Sequence, residues 1–324
     1  MNPELLHAVE LAATGEGHAA RQIVVRLAGE GDPDALYTWA DMHWRGVLVD
    51  RDWPEALRLF QAAEAAGNSV AGQVVTNLMA SGVTGRRDWP GAVERLAREA
   101  ESDHQRAFAL GLIEEMDLDE AGDPRQPPAG EQVLSAPDLR LFPRLFSQPE
   151  CLHLRSLAEP LFGPSLVTGP NLEQLPDPIR TSDGASIHHL IEDPAVHALN
   201  RRLAMATGST YPCGEVLLVL RYRPGQHYLN HIDALPGLAN QRMRTVLVYL
   251  NEGYQGGQTQ FPAVGYAFRG QTGDAIVFRN VTDDGQRDQL SIHAGAMVTM
   301  GNKYLASRWI RERAMFDESG PVGD

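Results

Sequence analysis

The spacing of apolar residues changes character along the chain. Over the first third, apolar and small residues return every three to four positions, the period of helices that bury one face. A segment also repeats there: RDWPEA at 51–56 comes back as RDWPGA at 87–92, a period of 36. At that offset Gly46 matches Gly82, Val47 matches Val83, and Ala35, Ala71 and Ala107 fall into line. Periods in the thirties with small residues at fixed helical positions predict a solenoid of paired helices over residues 1–118. Such a solenoid either packs on the rest of the chain or offers a concave surface to a peptide. The stretch DLDEAGDPRQPPAGEQ at 117–132 holds three Pro and two Gly without periodicity, which predicts a linker, bounded here as 119–134.

Past the linker, 147–163 predicts a helix with a Ser start and an early Pro, and 194–208 a second helix ended by Gly208. From 214 the pattern changes to short strands. GEVLLVLRY, RTVLVYLN, GQTQF, DAIVF, AGAMVTMG and KYLASRWIRE read as short strands divided by Gly-, Asp- and Asn-rich turns. That series predicts an all-β sandwich or barrel. The expected fold class is therefore α+β in two domains, the second at 135–313, followed by a frayed tail at 314–324.

Composition narrows the function. No apolar run approaches the roughly 20 residues of a membrane span, and the first residues lack the layout of a secretion signal. A cytoplasmic protein without a membrane partner is expected. Cys151 and Cys213 cannot make a disulfide framework, and their apolar neighbours predict buried, inert thiols. The net charge of −14 is uneven: residues 221–313 carry +4, the tail −3 and residues 1–220 the remaining −15. An acidic front half argues against a nucleic-acid partner, which needs a basic face. The mildly positive second half suits a small anionic ligand. Of 28 basic residues, Lys303 is the only lysine.

His231 and Asp233 form His-x-Asp. On an extended segment residues two apart point to one face, so both can converge on one ion. A third donor from a distant strand would complete a facial triad with open positions for non-haem iron(II) chemistry. His293, in QLSIHAG, sits among small residues that leave room for a ligand. Lys303 follows ten residues later; its compact ammonium suits capture of a carboxylate in a tight pocket, where a guanidinium needs width. His227 lies near the pair but off its spacing, and is a candidate for contact with substrate.

Residues 221–311 resemble the catalytic core of the prolyl 4-hydroxylase family of 2-oxoglutarate dioxygenases. The resemblance rests on RYRPGQHYLNHID (221–233), RTVLVYLNEGYQGGQTQFP (244–262), GDAIVF (273–278) and SIHAGAMVTMGNKYLASRWIRE (291–312). LFSQPECLHL (145–154) and RTSDGA (180–185) are similar to the family's lead-in, and the first third resembles Sel-like tetratricopeptide repeats. The resemblance implies a double-stranded β-helix, or jelly-roll, binding Fe(II) through His231, Asp233 and His293. It implies that Lys303, helped by Tyr222 and Thr259, holds the distal carboxylate of 2-oxoglutarate, and that Arg180 and Trp309 lie near the substrate. Dioxygen is the second co-substrate and L-ascorbate an accompanying reductant. The implied reaction hydroxylates an unactivated C–H, with succinate and carbon dioxide as co-products. A prolyl residue of a peptide or protein is the expected substrate. The alternatives are a free amino acid or peptide natural product, or a non-catalytic repeat scaffold. Gln258 stands where the family commonly has Glu, and Ala296-Met297 where it has Cys-Pro.

Overall fold

A computed structural model describes residues 2–168, 174–175 and 178–317. Two compact units emerge: one takes the chain up to Ala107 with His189–Pro194, the other takes Phe108–His188 and Ala195–Phe316. None of the described helices is long and apolar enough to cross a membrane.

The front of the chain is a run of helices, Pro3–Ala13, Gly17–Gly29, Pro33–Arg45, Trp53–Ala65, Ser69–Ser81, Trp89–Ala100 and His104–Glu115, as the 3.6-residue period predicts. The repeated motif has a local cause. Asp52 and Asp88 accept the backbone N–H groups of Glu55 and Gly91 at 2.9 and 3.0 Å, capping their helices. Pro54 and Pro90 follow in the first turn, where a missing N–H costs nothing. Gly82 ends its helix at φ +67°, and a Cβ there would lie 2.9 Å from that of Arg87, so conformation and space both demand glycine.

The alignment of three alanines holds for only two. Ala35 and Ala71 are fully buried, but Ala107 is exposed. The helix caps explain it: Asp32, Asn68 and Asp103 accept the N–H groups of Ala35, Ala71 and Arg106. The third cap comes one residue early, so Arg106 takes the buried position and Ala107 rotates outward.

The β unit is built on an eight-stranded antiparallel sheet. From edge to edge it runs Glu131–Ser135, Asp138–Phe142, Ala275–Arg279, Arg242–Tyr249, Lys303–Arg311, Leu217–Tyr222, Asp183–Ile187 and Gly163–Pro164. A smaller sheet runs Tyr266–Phe268, Thr259–Phe261, His293–Gly295 and Tyr228–His231. Tyr222, Tyr249, Phe261, Phe278 and Leu305, from both sheets, share one apolar cluster, the core of the expected jelly-roll. The helices flanking it are Gln148–Ala158, opened by a Ser147–Glu150 capping box, and Pro194–Thr207.

Several sequence boundaries shift. The helix expected over 147–163 stops at Ala158 and tightens into a 3-10 turn, Glu159–Leu161. AGAMVTMG divides into His293–Gly295 and Val298–Met300, which join different sheets. Glu131–Ser135, at the end of the expected linker, pairs as an edge strand. Cys151 is buried, which pushes its thiol up to about 12, but Cys213 is only half-buried. At the expected tail, Met315 N–H donates to Pro212 O at 2.9 Å and Phe316 packs on Tyr211, while 318–324 lie outside the described residues.

Candidate metal centre

His231 ends the strand Tyr228–His231, and His293 begins the neighbouring strand, directly opposite it in register. Asp233 lies two residues past His231, as the His-x-Asp spacing predicts. The donor atoms of the three lie within 4.8 Å of one another. His231 Nε2 is 3.7 Å from Asp233 Oδ1, and His293 Nε2 is 3.6 Å from Asp233 Oδ2. Among the described residues no other group of His, Cys, Asp or Glu is arranged to hold a metal ion.

Hydrogen bonds fix how the imidazoles present themselves. His231 Nδ1 sits 2.8 Å from Leu229 O, and His293 Nδ1 sits 3.0 Å from Ser291 O. A carbonyl oxygen only accepts, so each Nδ1 carries a proton and each Nε2 is the nitrogen turned toward Asp233. Burial holds His231 well below the usual histidine range, and the neighbouring His293 adds to it. For Asp233 burial alone would raise the carboxyl; His293, His231 and the Thr245 hydroxyl outweigh it and keep the group ionised. Two imidazole nitrogens and one buried carboxylate form a donor set that fits a divalent cation of intermediate hardness.

Beside the triad is a small cavity of about 30 Å³. One wall shows the two-residue alternation of strands. Leu220 and Tyr222 come from one strand, and Lys303, Leu305, Ser307 and Trp309 from its neighbour, with Leu247 from the next. Arg180, Tyr228, Thr259, Ala294 and Gly295 complete the lining with the triad. Lys303 is 2% exposed and pairs in register with Tyr222. Its ammonium donates to Gly257 O at 2.7 Å and lies over the rings of Tyr222 and Tyr249 at 5.4 and 5.1 Å. Burial pushes it down to about 7. Thr259 shares a 2.7 Å hydrogen bond with the Tyr249 hydroxyl.

Arg180 is buried, donates through Nη1 to Leu166 O at 3.2 Å, and leaves Nε without a partner among the described residues. Its guanidinium covers the Tyr228 ring at 4.9 Å, and that ring stacks on His231 at 3.5 Å. Trp309 lies under Arg242 at 3.8 Å, and its indole N–H has no partner among the described residues. Eight of the nine residues singled out from sequence thus line one cavity; His227 does not. Tyr228 and the aliphatic lining, Leu220, Leu247 and Leu305, were not singled out. Counting in twos from Lys303 would have found Leu305, Ser307 and Trp309 together.

The model of the 2OG-Fe(II) oxygenase superfamily matches residues 217–311. Prolyl 4-hydroxylase 1 of Arabidopsis thaliana is 31% identical over 207 residues, 57% of this chain and 72% of that protein. Among solved structures, a viral collagen prolyl hydroxylase from Paramecium Bursaria Chlorella virus-1, in its 2OG complex, aligns over 55% of this chain and 98% of its own. The identity there is 25% and the TM-score 0.41. A Sel1 repeat protein from Oxalobacter formigenes aligns over 34% of this chain and 47% of its own, at 22% identity and a TM-score of 0.30.

Proposed function

This chain belongs to the prolyl 4-hydroxylase family of Fe(II)- and 2-oxoglutarate-dependent dioxygenases, and from that premise we propose that it hydroxylates a prolyl residue of a peptide or protein. The observation that carries the reading is one cavity holding both the His231, Asp233 and His293 cluster and an uncompensated buried lysine. His231, Asp233 and His293 would hold the iron, through two Nε2 lone pairs and a carboxylate. Bound iron, with dioxygen and 2-oxoglutarate, supplies the oxidising power, leaving succinate and carbon dioxide.

The chain's own residues bind, orient and exclude water. Lys303 would meet the distal carboxylate of 2-oxoglutarate as a single charged donor, with Tyr222 and Thr259 adding hydroxyls at that end. Leu220, Leu247 and Leu305 keep the wall apolar, which lowers the local dielectric and strengthens that charge contact. Arg180 Nε and the Trp309 indole N–H, which have no partner among the described residues, suit backbone carbonyls of an extended polypeptide, since both residues line the cavity. His227 is not proposed to touch substrate.

Residues 1–118 are the repeat domain in this reading and 135–313 the catalytic domain. A polypeptide substrate gives the repeats something to hold, and its location would be the cytoplasm, with L-ascorbate as reductant. The test is incubation of the full chain with iron(II), 2-oxoglutarate, dioxygen and a library of proline-containing peptides, read by mass spectrometry. One oxygen gained on proline, absent without 2-oxoglutarate and in Asp233→Ala, is the expected result. Turnover of 2-oxoglutarate with oxygen appearing only on other residues or on free amino acids would overturn the substrate assignment.

A further inference from the structure

We propose that Thr245 and Asn280 form a one-way hydrogen-bond relay that decides which oxygen Asp233 offers to the metal, making both of them positioning residues. The inference rests on the reading of His231, Asp233 and His293 as the ligands.

Thr245 Oγ1 lies 2.6 Å from Asp233 Oδ2 and 2.9 Å from Asn280 Nδ2. Thr245 and Asn280 are each 0% exposed, so solvent cannot substitute for either. A threonine hydroxyl has one proton, and a carboxylate can only accept. The proton therefore goes to Asp233, and Asn280 must donate an amide hydrogen to the hydroxyl oxygen. The contact from Thr245 Oγ1 to Asn280 Oδ1, at 3.3 Å, is left without a proton to fill it. The relay runs from amide to hydroxyl to carboxylate, and it cannot run backward while Asp233 is ionised.

The strands explain why these two side chains meet. Thr245 sits on Arg242–Tyr249, paired with Phe278, and Asn280 follows directly after the strand Ala275–Arg279. Thr245 belongs to the larger sheet and Asn280 extends from the end of one of its strands, whereas His231 and His293 belong to the smaller sheet. Asp233 is thus held by the larger sheet through Oδ2.

That matters because the two oxygens would otherwise be interchangeable. Oδ1 is 3.7 Å from His231 Nε2 and Oδ2 is 3.6 Å from His293 Nε2, so either or both could face an ion between the imidazoles. With Oδ2 engaged by a charge-assisted bond, Oδ1 is the oxygen left free. A carboxylate pinned at one oxygen occupies one coordination position and leaves room for a chelating co-substrate.

The test is titration of the metal-free full chain with Co(II), followed by visible absorption, in wild type, Asp233→Ala, Thr245→Val, Thr245→Ser and Asn280→Asp. Thr245→Val keeps the side-chain shape and removes the hydroxyl; Co(II) affinity should fall about 10- to 100-fold, with a shifted band. Asn280→Asp offers Thr245 a competing carboxylate, so its affinity and band should move the same way. Thr245→Ser keeps the hydroxyl and should restore wild-type binding. Wild-type affinity and spectrum in both Thr245→Val and Asn280→Asp, with Asp233→Ala unable to bind, would overturn the relay and leave the ligand set standing. Equal binding by wild type and Asp233→Ala would overturn the ligand set itself. Melting of each metal-free variant is measured first; if Thr245→Val does not fold, the near-isosteric Asn280→Asp decides.

Discussion

Arg106 in the helical unit and Lys303 in the β unit are both buried cations, held in opposite ways. Arg106 lies 2.6 Å from Glu99 and donates to Asn77 Oδ1 at 3.1 Å, so its charge is matched where it sits. Lys303 has one carbonyl, Gly257 O, and no carboxylate partner among the described residues. Burial therefore lowers Lys303 to about 7, with no opposing charge to hold it up. The first arrangement is complete without a ligand. The second becomes complete only when an anion enters the cavity, and the triad beside it has the same character, an anion and two lone pairs waiting for a cation. Compensation separates a buried charge that serves the fold from one that serves the reaction.

The largest effect is expected at Asp233. Asp233→Ala removes the only anionic donor of the triad; metal affinity should fall by at least 10- to 100-fold, and 2-oxoglutarate turnover should vanish. Succinate formation at the wild-type rate would show that this carboxylate does not belong with the waiting charges.

Next comes Lys303→Ala, expected to raise the KM for 2-oxoglutarate by about 10- to 150-fold with metal binding unchanged. A charge-assisted bond to a carboxylate contributes roughly 1.5–3 kcal/mol, and the unpaired carboxylate adds to the loss. Lys303→Arg should rescue only in part, because a planar fork does not fit a point-donor pocket. The sign of the pH dependence follows from the lowered lysine. Below about pH 7 the ammonium is already present; above it a proton must be taken up with the dicarboxylate. The Kd should be flat on the acid side and weaken up to about tenfold per pH unit above 7. Calorimetry at pH 8 in buffers of different ionisation heat reads the proton uptake, and no uptake would contradict the account.

The two cations should also part in stability. Arg106→Met leaves Glu99 without its buried partner and should destabilise the protein by about 3 kcal/mol, seen in urea unfolding. Lys303→Met removes an uncompensated charge while keeping the volume, and should stabilise by roughly 0.5–2 kcal/mol even as it abolishes 2-oxoglutarate binding. If both substitutions destabilise alike, the contrast between structural and functional burial fails.

The repeats were legible because their causes are local: an Asp cap, a Pro in the first turn and a Gly at the end of each hairpin stand close together in sequence. The alanine alignment broke where counting at fixed period missed the early cap at Asp103. In the β unit, short apolar runs between Gly-, Asp- and Asn-rich turns marked the strands, and the His-x-Asp spacing with His293 and Lys303 marked the candidate site. The strand sequence did not reveal that AGAMVTMG feeds two sheets, because each sheet needs only a few of its residues. Nor did it separate His227 from the cavity residues, since proximity in sequence to His231 says nothing about which wall a side chain joins.

What the sequence by itself determined is the inventory: helical repeats before strands, two His and one Asp at metal-type spacing, and a single lysine in an arginine-rich chain. Tertiary structure decided the pairings. Register put His293 opposite His231 and Lys303 opposite Tyr222. It brought Thr245 and Asn280, 12 and 47 residues from Asp233, into one buried line with it. The physical reason is that a side chain's type and its local period are fixed by the chain. Which groups are stripped of water together depends on strands that pair across long loops, and only that shared burial makes a carboxylate, a hydroxyl and an amide act as one.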